Sequence, residues 1–189
     1  VLPSTQQTPD AKVKLGYVSL SGASSVAWYA FEKGFFQTNG LDVELVYFES
    51  GTTGATAMIT GDIDFCEIGG AAIVNAIVAG APVKIIGSLF NTYIYTLIVT
   101  PEIQTVNDLK GKALAISRPG SSSDTALRVA LRKMGLEPDA DVTILAIGSR
   151  SERIAAMTTG QVVGTLASPP DNLQAYELGF HDLFNMLEL

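Results

Sequence analysis

Six short clusters of glycine, serine and threonine hold the chemistry this chain can offer. They lie at residues 19–25, 50–54 and 69–70 in the first half, and at 119–123, 148–151 and 168–170 in the second. Each falls where a β-type run gives way to a helical pattern. Glycine there lets a ligand approach the backbone, and hydroxyls both donate and accept. The start of a helix adds unpaired N–H groups and the positive end of its dipole. Such a set suits an anionic or strongly polar small group. Any single cluster is also what ordinary turns and caps use. Six of them recurring on matching ends of repeated units point to a site.

Covalent and metal chemistry find little material. Cys66 is the single cysteine and His181 the single histidine, which removes disulfides, Cys-rich metal sites and His clusters. Cys66 sits inside an apolar run and reads as a small core residue; His181 reads as a surface or packing residue. "RPGSSSD" lacks the Gly-Lys-Ser/Thr of a phosphate-binding loop, and no Gly-x-Ser-x-Gly elbow occurs. Asp62 and Asp64 are spaced for a turn rather than for acid–base work. Arg118 and Arg150 flank second-half loops as candidate counter-ions, with solvated surface charge as the competing role. Trp28 and Tyr29 open the first helix, where one of them could stack on a ligand or pack in the core.

The elements that would position these loops alternate. Strand patterns cover residues 12–19, 41–48, 62–68, 82–90, 93–100, 112–117, 141–147 and 161–167. Helical patterns follow the loops, with Ser24 or Ser25 as a first cap, stretches at 55–60, 71–80, 125–135 and 153–160, and a last helix reaching about 178. Ser149 and Glu152 have capping-box spacing. Alternation of this kind predicts an α/β fold with mainly parallel sheets, whose ligands bind at the carboxyl ends of the strands.

The chain also repeats itself. "GASS" from Gly22 recurs as "GSSS" from Gly120, "DVEL" from Asp42 as "DVTI" from Asp141, and "AMITG" from Ala57 as "AMTTG" from Ala156, at offsets of 98, 99 and 99. Two tandem α/β lobes follow: a linker at 1–11, a first lobe at 12–92, a second at 93–185, and residues 186–189 beginning a return crossover. The join near residues 88–95 reads as a hinge.

Composition bounds the function. The 189 residues are 47% hydrophobic and 16% charged, with a net charge of −7 and no basic run, which leaves a nucleic-acid surface without support. The most apolar stretch, from Gly69 to Ile86, is interrupted by Asn75, Pro82 and Lys84 and does not read as a membrane span. The polar start, "VLPSTQQTPDA", reads as a linker following a removed leader, pointing to export.

The segments "AFEKGFFQTNGLDVEL", "AGAPVKIIG", "DLKGKALAISRPGSSSDTALRVALRKMGLEPDADVTIL" and "RIAAMTTGQVVGTLASPP" resemble the substrate-binding proteins of ABC importers, in the branch for nitrate, sulfonate, taurine and thiamine-pyrimidine-type solutes. The likeness runs over about residues 13–183. It implies a type II periplasmic-binding-protein fold of two similar lobes with a hinge. It also implies a non-enzymatic solute binder in the periplasm or anchored outside the membrane, with a membrane permease as partner and neither cofactor nor metal. Carried over by position, the site takes Ser21, Gly22, Gly51, Thr52, Gly69 and Gly70 from the first lobe and Asn91 from the hinge. Gly120, Ser121, Ser122, Ser123 and Ser168 come from the second lobe, with Trp28 beside them. The fold so implied ends in a return segment, and the expectation here is a chain lacking it. The apolar "DLFNMLEL" at 182–189 is then expected to dock as a strand on the first lobe, of its own chain or of a partner in a strand-exchanged dimer, or to open the missing crossover. Two other classes share the fold: a thiamine-pyrimidine synthesis enzyme, which needs histidine and iron chemistry, and an effector-sensing domain of a regulator.

Overall fold

The structure is a computed structural model that describes residues 11–20 and 22–188, without the side chains of Ala23 and Glu188. The linker expected at 1–11 therefore lies almost wholly outside the described residues.

The alternating start of the chain forms β1 (Ala11–Tyr17). After a 3-10 turn come α1 (Ser25–Glu32) and α2 (Phe35–Thr38), separated by Gly34 at φ 70°, where a Cβ would be strained. Then follow β2 (Leu41–Tyr47), α3 (Gly51–Thr60), β3 (Phe65–Glu67) and α4 (Gly70–Val78). The three strands are parallel, in the order β2-β1-β3. A connection without regular structure leads to β4 (Thr96–Val99). The second half continues with β5 (Ala113–Ile116), α5 (Ser122–Lys133), β6 (Thr143–Ala146), α6 (Arg150–Thr158), β7 (Gly164–Ala167), α7 (Asp171–Glu177) and β8 (His181–Asn185). Its sheet has the order β6-β5-β7-β4-β8.

The sequence repeat reappears in the pairing. Lys14 faces Glu44 and Ala113 faces Thr143, thirty positions on in each case; Leu15 faces Phe65 and Leu114 faces Gly164, fifty positions on in each. An offset of 99 carries Lys14 onto Ala113 and Leu15 onto Leu114, the offset of the repeated words. The β2-β1-β3 and β6-β5-β7 units are thus two copies of one parallel, doubly wound element.

The second lobe holds the larger core. Alternation along its short strands sends Leu97, Val99, Leu114 and Ile116 to one face, against Leu127 and Leu131 of α5. Ile98, Ala115 and Ala167 go to the other, against Ile154 and Met157 of α6 and Phe180. The first lobe buries fewer large side chains, Tyr17, Val43, Ile63 and Ile73, alongside Ala55, Ala57 and Ala72. It leaves Val78 82% and Ile86 80% exposed.

Four elements differ from the sequence reading. Helix α3 begins at Gly51 rather than Ala55, because Ser50 caps it through a box with Thr53. The strand expected at 82–90 does not form; Ile85 and Ile86 have β-type side chains but no strand beside them. A strand is stabilised by its cross-strand partners, which the local pattern does not supply. Strand β4 runs antiparallel to both its neighbours, in a sheet expected to be mainly parallel. Finally, β8 docks on β4 of the second lobe, not on the first. It covers an edge of β4 that would otherwise leave backbone groups unpaired, and it brings Leu183, Phe184 and Met186 onto the larger core. The apolar tail thus finds its partners within its own lobe, which removes the physical ground given for strand exchange.

Candidate functional site

The carboxyl ends of the strands in the two repeat units border a common cavity of about 170 Å³. Residues at the starts of α3 (Gly51), α4 (Gly69), α5 (Ser122) and α6 (Arg150) line it, joined by Tyr47 and Tyr95. The lobes touch around it. Thr52 Oγ1 donates to the Pro119 carbonyl at 3.2 Å, and Asn75 Nδ2 to the Gly120 carbonyl at 3.2 Å. Arg118 Nε donates to Glu49 Oε1 at 2.8 Å. A Cβ on Gly69 would stand 2.0 Å from Ser122 Oγ, so the absence of a side chain there permits this approach.

The three serines that open α5 have distinct surroundings. Ser121 is the N-cap, accepting from the Asp124 N–H, and Ser117 Oγ donates to it at 2.9 Å. Ser123 Oγ accepts from the Ser117 N–H at 3.0 Å and lies 3.0 Å from the Ser117 and Ser121 hydroxyls. Ser122 Oγ alone of the three is buried without a hydrogen-bond partner among the described residues.

Two arginines one helical turn apart give the cavity its charge. Ser149 caps α6, with Glu152 completing the box, so residues 150 and 153 fall in the first turns of this helix. Arg150 forms an ion pair with Asp171 at the start of α7. Arg153 is only 5% exposed. Its Nη1 donates to Thr165 Oγ1 at 2.7 Å and to the Leu166 carbonyl at 3.1 Å. Burial, and then the neighbouring Arg150, pull the Arg153 pKa down to about 10. Burial lowers that of Arg150 as well. Glu49 and Asp171 also line the cavity, each in an ion pair with an arginine, so the helix N-termini and the unpaired Arg153 are what favour an anion in a chain that carries −7 overall.

The residues singled out from the sequence are distributed as follows. Gly51, Gly69, Ser121, Ser122 and Ser123 line the cavity. Thr52 and Gly120 lie in an adjoining groove at the contact between lobes. Gly22 stands beside Pro169, and Ser168 is buried with no partner for its hydroxyl among the described residues. Gly70 is the first residue of α4, and Asn91 lies in the exposed connection; neither lines the cavity. Trp28 packs edge-on against Tyr17, with ring centres 5.5 Å apart, and does not line it either. Ser21 lies outside the described residues.

Arg153 and Tyr95 escaped the sequence reading. For Arg153 a signal existed: arginines at positions 150 and 153 open a helix whose positive dipole end disfavours cations. A locally unfavourable choice of this kind points to a function.

A family model described as NMT1/THI5 like matches residues 24–178. A Brucella abortus (strain 2308) protein named as a binding protein is 29% identical over 161 residues, which are 85% of this chain and 49% of that protein. The chain therefore spans about half the length of the curated relatives it matches. The alkanesulfonate-binding protein from Xanthomonas axonopodis pv. citri, bound to MOPS, is 26% identical with a TM-score of 0.78, over 95% of this chain and 62% of that one. The periplasmic nitrate-binding protein from Synechocystis PCC 6803 is 18% identical with a TM-score of 0.76, over 95% and 52%. The fold is that of the type II periplasmic binding proteins, and the chain belongs to the NMT1/THI5-like family.

Proposed function

We propose that this chain carries the solute site of an extracytoplasmic binding component of an ABC importer, and that it binds without catalysis. The observation that carries this reading is the convergence of four helix starts and two arginines on a cavity between two lobes. The solute is a small polar or anionic molecule of the sulfonate, nitrate, taurine or pyrimidine-like kind. Its head would sit on the helix starts and hydroxyls, the lobes would close about residues 88–95, and the closed form would be offered to a membrane permease. Relatives named for binding alkanesulfonate and nitrate support the class of solute. A one-to-one complex with a small molecule, seen by native mass spectrometry of gently purified protein, is the expected result. A protein that arrives empty, and that no sulfonate, nitrate, taurine or pyrimidine stabilises against heat, would overturn it. Metal analysis separates it from the synthase reading, which requires bound iron.

A further inference from the structure

We infer that Arg153 sets the charge of the solute, and that the cleft is built for a head group carrying one net negative charge. The inference rests on the binding reading above and deepens it. Three arginines and three carboxylates meet at the cavity and its rim, and one of the carboxylates, Glu152, is held by the N–H and hydroxyl of Ser149 in the α6 cap. Glu49 is paired with Arg118, and Asp171 with Arg150. Arg153 remains without a carboxylate among the described residues, although it is the most deeply buried of the three.

Its surroundings show what it lacks. Two neutral acceptors, Thr165 Oγ1 and the Leu166 carbonyl, hold Nη1. Thr165 in turn donates to the Ala115 carbonyl at 2.9 Å, which ties that side of the guanidinium to the sheet where β5 meets β7. The Nε atom has no partner among the described residues, and neither does Ser122 Oγ, which also belongs to a cavity-lining residue. A buried guanidinium held only by neutral groups is costly, and its depressed pKa reports the same cost. It stays protonated at neutral pH, so the charge is present. A monoanion entering the cavity supplies the missing counter-charge and accepts from the free donors. A neutral solute leaves the cation uncompensated. A dianion brings one negative charge more than the single unpaired cation can balance.

The test uses three probes of nearly the same shape at pH 9: ethanesulfonate as monoanion, ethanesulfonamide as the neutral form, and ethylphosphonate, which is mainly dianion there. Calorimetry on the full chain should rank ethanesulfonate at least about tenfold tighter than the other two. Arg153→Met should abolish that ranking while the ligand-free protein melts no lower than the parent, a result that a purely structural role for Arg153 would not give. Asp171→Asn adds one net positive charge and should move the preference to ethylphosphonate. The inference falls if the parent prefers the sulfonamide or the phosphonate, or if a folded Arg153→Met protein keeps the sulfonate preference. Should Arg153→Met fail to fold, the parent ranking and the Asp171→Asn shift decide. Should no probe bind, the molecule carried in native mass spectrometry decides. A bound monoanion supports the inference, and a bound neutral or dianionic solute overturns it while leaving the binding reading intact. A cleft that no small molecule occupies removes both.

Discussion

At the start of α5, Ser121 accepts the Asp124 N–H and a hydrogen bond from Ser117, while the hydroxyl of Ser122 next to it is buried and unpartnered. The two neighbours therefore separate stability from binding. Ser121→Ala should destabilise the protein by about 1 kcal/mol, the usual cost of a lost N-cap. Ser122→Ala should leave the melting temperature in place and weaken solute binding by about tenfold, as for one lost hydrogen bond to a charged group. Melting curves and calorimetry on the pair check this, and equal effects of both on binding would refute it. Cys66 offers a second residue-scale test. A Cβ built on Gly16 or on Gly54 would lie 3.0 Å from its sulfur, and burial pushes its thiol up to about 12. The thiolate is the reactive form. Cys66 should therefore resist a disulfide reagent at pH 8 and react once denaturant unfolds the chain; fast labelling of the native protein would show the packing to be wrong.

Helix α6 concentrates the site's charge in its first turns, so its cap matters more than that of an ordinary helix. Ser149 Oγ accepts the Glu152 N–H at 3.4 Å, and the Glu152 carboxylate receives the Ser149 N–H at 2.7 Å and its hydroxyl at 2.6 Å. Ser149→Ala should cost about 1 kcal/mol and weaken solute binding as well, since Arg150 and Arg153 lose their fixed base. The box also makes stability depend on pH. The bonds from Ser149 hold Glu152 below its ordinary value of 4.5, and those from Thr105 hold Asp108 below 3.8. A carboxylate lowered by folding stabilises above its unfolded value and loses that contribution as pH falls through the folded one. Stability should thus decline as pH drops below about 4.5, and in Ser149→Ala the decline should be shallower. An unchanged slope in that variant, measured by urea denaturation across pH 3–6, would detach Glu152 from the cap.

For the whole molecule, closure depends on how near the lobes can come. Gly69 caps α4 at φ −67°, which any residue adopts, so alanine there is unstrained as backbone. Its Cβ would nonetheless lie 2.0 Å from Ser122 Oγ and 2.7 Å from Ser122 Cβ across the lobe contact. Gly69→Ala should keep the fold and its melting temperature yet hold the lobes apart, with solute affinity falling by tenfold or more, about the loss of one charged hydrogen bond. Ser122→Ala should not rescue it, because the Cβ remains, whereas Ser122→Gly should restore closure in part. Small-angle scattering with and without solute is the measurement. Compaction of the Gly69→Ala protein equal to the parent's would show that closure does not need this contact.

Much of this architecture was legible in the chain. The words repeated 99 positions apart come from two units with one strand register, since a doubly wound lobe must space its strands and loops alike wherever it is built. The Ser149–Glu152 box could also be read, because capping is local. Other features depended on contacts distant in sequence. The run at 82–90 has strand-like residues, but a strand needs a neighbour, and only the assembled fold shows that none lies beside it. Strand β8 pairs with β4, 82 residues earlier from Val99 to His181, for the converse reason: an open edge was there to cover. The isolation of Arg153 lies beyond any local pattern. That Arg118 takes Glu49, and Asp171 takes Arg150, is decided by the meeting of elements 69 and 21 residues apart, and only then does one buried arginine stand uncompensated.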